Sequence, residues 1–203
     1  FGLKGIANRP KDGHEWKKFS GSTYGFGSDE WISDIMTSAS RLTHRGARLE
    51  LFEKTLMDTL AVQAIMEDLA HAVDEDGIYG EDANGVIRAH GHSDDEKRNY
   101  WDHAYAKFIG TSTARDFTIF ARANKRGANY GKNDGNGVAE AARTIIAKFK
   151  AGAAQAASAS RRTLYGDIEH TIQVIYAQST LRYAYLVDRD LAEGREYREH
   201  QAE

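Results

Sequence analysis

The chain has no cysteine, one proline and no apolar run approaching the roughly 20 residues that a spanning helix needs. The missing cysteine excludes thiolate metal sites, cysteine nucleophiles and disulfide staples. It leaves the redox compartment open, because a chain of 203 residues can fill a core without cross-links. Neither sign of charge predominates: 27 Lys and Arg face 30 Asp and Glu, a net charge of -3. Binding to phosphate backbones calls for a basic face, so a nucleic-acid partner is not expected. No Ser-His-Asp order, nucleophile elbow, phosphate-binding Gly-Lys loop or dinucleotide fingerprint occurs either, and an enzyme is therefore not expected.

What is present is ordinary globular composition, 41% hydrophobic and 28% charged, and it leads us to expect one self-folding domain. The chain opens on Phe1 without an apolar leader segment. A mature form from which a signal peptide has been removed would look like this, and so would a shortened chain.

Residues 1–28 hold Pro10, several Gly, Lys and Ser, and no regular periodicity, and are read as an irregular arm. Trp16, Phe19, Tyr24 and Phe26 on this polar arm suggest packing on its own domain or on a neighbouring chain, by self-assembly or with a protein partner. From residue 29 to 203 helical spacing takes over, and the expected fold is all-α, a single bundle of five to six helices. A short helix holds Trp31, Ile32, Ile35 and Met36. A long one over 46–73 carries Leu49, Phe52, Leu56, Leu60, Ile65 and Leu69 on one stripe. Ser93 and Glu96 form a capping box before a helix ending near Gly110. Further helices are expected over 113–130, after Gly137, and over 161–192, with no strand anywhere. Residues 74–93, rich in Asp, Asn and Gly, read as a long acidic surface loop.

Eight histidines among many carboxylates raise the question of a metal. Asp68 with His71, and Asp167 with His170, have the i, i+3 spacing that shares a helix face; di-iron bundles use a related Glu-x-x-His spacing, and solvated helix faces are the simpler account. The loop offers Asp74, Glu75, Asp76, Glu81, Asp82 and Asn84, then His90, His92 and Asp94. Oxygen-rich loops hold calcium, and imidazoles shift the preference toward iron, copper, nickel or zinc. An EF-hand is rejected, because Gly80 and Gly91 would fall at its first and last ligand positions. His103 adds another imidazole. Tyr183 and Tyr185 beside Arg182 offer phenolates and a cation for ferric iron with an anion, although aromatics on a long helix more often pack a core.

Three blocks carry a resemblance: Tyr100 to Gly110, Ala123 to Gly131, and Val174 to Tyr185. In this order they resemble the algal low-iron-inducible periplasmic protein family, over about residues 100–186. The resemblance implies iron assimilation outside the plasma membrane, in an extracellular or periplasmic setting, with ferric iron taken up together with carbonate. Lys125, Arg126 and Arg182 are the matched cations, able to hold a carbonate or to neutralise helix C-terminal carbonyls. The competing expectation is a non-catalytic structural or accessory subunit of a larger assembly.

Overall fold

The computed structural model describes residues 49, 52–54, 58, 60–73, 92–111, 118–132, 139–155 and 158–194, with the backbone alone for 79–81, 87–89, 158 and 159. The arm over 1–28, the short helix at 31–36, and Leu56, Phe117, Val138 and His90 lie outside these residues, as do Asp74, Glu75, Asp76, Asp82 and Asn84. The fold is all-α, a helical bundle. Its described helices are α1 (Ala61–Val73), α2 (Asp94–Ile109), α3 (Ile119–Asn129), α4 (Glu140–Ala153) and α5 (Ser158–Glu193).

Contacts group the chain into two compact units, one formed by Phe1–Gln63 with Tyr185–Glu203 and the other by Ala64–Ala184. In the first, Leu60, Val62, Leu186 and Asp190 are buried, and Asp190 pairs with its neighbour Arg189 at 3.3 Å. Leu49, expected on the core stripe, is exposed.

In the second unit α2, α3 and α4 pack on one another. Each helix buries residues at helical spacing: Trp101, Ala104 and Phe108 on α2, Ile119 and Ala123 on α3, Ala142, Ile145 and Phe149 on α4. Phe149 is the hub, with ring centroids 5.6 Å from Trp101, 5.3 Å from Tyr105 and 6.0 Å from Phe108. Aromatic pairs of this kind contribute about 0.5–1.5 kcal/mol each beyond their burial. On α5 the buried positions Arg161, Tyr165, Ile168, Ile172, Ile175 and Ser179 alternate in steps of four and three, a seam of period 3.5. At 36 residues α5 is about 54 Å long.

The helix ends follow local chemistry. The Ser93 side chain accepts from the Glu96 N–H while Glu96 reaches back to the Ser93 N–H, the expected capping box, and α2 stops at Gly110 with φ 70. α3 starts at Ile119, where the Thr118 hydroxyl caps it; of the expected start at Thr113, residues 113–117 lie outside the described set. Residues 74–93 are a correction. Within the expected loop, β1 (Tyr79–Glu81) and β2 (Ile87–Ala89) pair antiparallel, with Tyr79 opposite Ala89 and Glu81 opposite Ile87. A partial signal is present in the sequence, since Asn84-Gly85 is a dipeptide that favours tight turns and Tyr79 and Ile87 are of types that favour strands.

Candidate metal centre at the junction of α1 and α2

His71 stands on the last turn of α1, and His92 lies just before the N-cap of α2. Their side chains meet although 21 positions separate them: His71 Nδ1 is 3.4 Å from His92 Nε2. Behind each ring is a carboxylate. Glu67, one turn earlier on α1, brings Oε1 to 3.7 Å from His71 Nε2, and Glu96 brings Oε2 to 3.9 Å from His92 Nδ1. Glu96 is held in place, since its Oε2 accepts from both the N–H and the hydroxyl of Ser93 at 2.8 Å. Those hydrogen bonds favour the charged carboxylate and lower its pKa from the ordinary value. The Tyr100 ring packs on both imidazoles, 4.8 Å from His71 and 4.7 Å from His92. His103, exposed one turn further along α2, meets the Tyr100 ring edge-on at 6.4 Å.

Asp68 is beside this group but turned to another partner. It is buried and takes Lys107 Nζ at 2.6 Å. Burial raises its pKa, and the lysine only partly offsets that cost. The expected pairing of Asp68 with His71 is therefore replaced by two separate contacts, Asp68 with Lys107 and His71 with His92. The second Asp-x-x-His pair divides in the same way: Asp167 forms an ion pair with Lys148 of α4, and His170 is exposed. Asp94 is exposed at the start of α2, where an acid complements the helix dipole. Among the described residues no three His, Asp or Glu side chains gather into one metal-sized group.

The expected anion site divides as well. Arg126 is 3% exposed; its Nε donates to Ser179 Oγ at 3.2 Å and its Nη1 to Asn129 Oδ1 at 2.9 Å. The guanidinium carbon stands 5.1 Å from the centroid of the Tyr183 ring. Tyr183 thus offers Arg126 its aromatic face, a contact that joins α3 to α5. Burial lowers the pKa of Arg126, and the positive Arg122 and Arg182 push in the same direction. Lys125 is exposed, Arg182 half-buried and Tyr185 57% exposed.

Sequence reasoning named His71, His92 and His103 separately. It missed that Glu67 and Glu96 back the two imidazoles and that Tyr100 packs against them. The i, i+4 spacing of Glu67 to His71 and of His92 to Glu96 was a signal available for the carboxylates. Comparison with family models, curated proteins and solved structures finds no match to this chain. No described helix is long and apolar enough to cross a membrane.

Proposed function

We infer that this chain is a non-catalytic metal-ion-binding protein whose cargo is iron. The observation that carries metal binding is the meeting of His71 and His92 at 3.4 Å across the hairpin segment, each with a carboxylate behind it. Imidazole is the commonest side-chain metal ligand, and a carboxylate on its other nitrogen is the usual support for a ligating histidine. The choice of iron, and an extracellular or periplasmic setting, rest on the three-block resemblance between residues 100 and 186. Carbonate as a companion anion has less support, because Arg126 and Tyr183 face each other.

The test is metal content by mass spectrometry on protein purified without chelators, followed by titration with ferrous iron and with ferric iron in the presence and absence of bicarbonate. Stoichiometric iron that falls in His71→Ala and His92→Ala supports the reading. Protein that takes up no metal in any titration refutes it and leaves the accessory-subunit alternative.

A further inference from the structure

A helix that lies on a core normally turns a polar face to the opposite side. On α5 the opposite face is largely apolar. The buried seam includes Ile168, Ile172, Ile175 and Ser179. Two positions further along, about 200° around the helix, a second stripe repeats in the same steps of four and three. It consists of His170, Val174, Ala177, Leu181, Ala184 and Asp188, and every one of them is exposed, Val174 by 38% and Leu181 by 62%. All stand on one continuous helix, Ser158–Glu193, whose own geometry fixes their spacing.

Steps of four and three make the seam of a coiled coil, where each side chain seats among those of a facing helix. The order of the residues selects that helix. When a second α5 runs antiparallel, turned end for end about the level of Ser179, His170 meets Asp188 of the second copy, Val174 meets Ala184 and Ala177 meets Leu181. The other half repeats these pairs by symmetry. Each large apolar side chain then faces an alanine, the alternation that lets two helices close without voids or clashes, and each imidazole faces a carboxylate. Parallel pairing sets Leu181 on Leu181, Ala177 on Ala177 and Asp188 on Asp188, so wide and narrow layers alternate and like charges meet. Antiparallel registers one heptad away set His170 against Leu181, or Asp188 against Ala177. The match ends where Asp167 would meet Leu191, and Asp167 is already paired with Lys148 of α4.

We propose that the outer face of α5 is a self-association surface, on which a second copy of this chain docks its own α5 antiparallel. The same patch serves both copies, so the contact closes as a dimer and does not propagate into a filament. From His170 to Asp188 it covers about 27 Å of helix, a short contact of the kind that belongs to weak, reversible dimers. The surface is separate from the imidazole pair between α1 and α2.

The test is sedimentation of the full chain between about 1 and 200 μM, with a chelator present to remove ion bridging between copies. We expect a reversible monomer–dimer equilibrium that is lost in Leu181→Glu and in Ala184→Glu. Both positions are exposed, so helix content should stay at the parental value. His170→Asp should weaken the dimer about 2–30-fold by opposing like charges at both ends, and adding Asp188→His should restore it. Spin labels on Thr163→Cys, in a chain with no other cysteine, should stand about 48 Å apart along the antiparallel pair. Labels within about 20 Å of each other, or a charge-swapped double variant weaker than His170→Asp alone, overturn the antiparallel pairing. A dimer of unchanged affinity in Leu181→Glu overturns the proposal too, because its contact lies elsewhere. A parent that is monomeric throughout also overturns it and leaves the stripe to a different protein.

Discussion

Gly152 on α4 is the position where one added methyl group should do most harm. A Cβ there would lie 2.0 Å from Cζ2, 2.4 Å from Cε2 and 2.8 Å from Cη2 of the Trp101 ring, against roughly 3.5–4.0 Å for an ordinary carbon contact. The ring would have to retreat by about 1.5 Å. It is poorly placed to do so, being fully buried, edge-on to Phe149, and tied through its Nε1–H to the Phe149 carbonyl at 2.8 Å. Overpacking of a filled core costs about 1–3 kcal/mol, and a buried indole pulled off its acceptor adds about 1–3 kcal/mol. Against this, replacing glycine by alanine inside a helix contributes about 1 kcal/mol of stability. Gly152→Ala should therefore be destabilising by about 1–5 kcal/mol in urea or guanidinium unfolding. The sign should reverse once the ring is gone: in a Trp101→Leu background Gly152→Ala should be neutral or stabilising by up to about 1 kcal/mol. A Gly152→Ala protein as stable as its parent, or a penalty of equal size in both backgrounds, would refute the packing argument.

Two other perturbations test the frame. Arg161 is 1% exposed and donates to the carbonyls of Gly152 at 3.0 Å and Gln155 at 2.6 Å, ending α4; Arg161→Met should cost about 3 kcal/mol in chemical denaturation through two lost charge-assisted bonds. The acid limb of stability should carry opposite signs from two carboxylates. Glu96 has a lowered folded pKa, so its contribution is present above the ordinary carboxylate range and lost as pH falls through the folded value; Glu96→Gln should separate from the parent at neutral pH and converge with it in acid. Asp68 has a raised folded pKa, so its contribution falls as pH rises from the ordinary carboxylate value through the folded one, and Asp68→Asn should remove that decline; stability measured between about pH 2 and 7 checks both.

Helix existence was legible where apolar spacing and caps agreed. Ser93 with Glu96 and the glycine at 110 mark both ends of α2, and Ile168, Ile172 and Ile175 of the α5 seam can be read from spacing without tertiary information. The hairpin is hard to read because each strand has three residues, too few for alternation to show within an acidic, glycine-rich stretch. The metal candidates show a different limit. Spacing within one helix pairs Asp68 with His71, yet a lysine from α2 takes the aspartate and a histidine from beyond the hairpin meets the imidazole. Such partners, 39 and 21 positions away, are set by packing that periodicity alone does not encode. The burial of the Arg126 guanidinium against the face of Tyr183 is likewise decided by which helices become neighbours.

One carboxylate serves two tasks at the start of α2. Glu96 closes the capping box and also faces His92, so the tolerance of position 96 to substitution becomes a readable record of what natural selection has asked of it. Glutamine can still accept from the Ser93 N–H but carries no charge for the imidazole. A population of variants held only to folding would admit both residues, whereas one held to ligand orientation would retain glutamate alone.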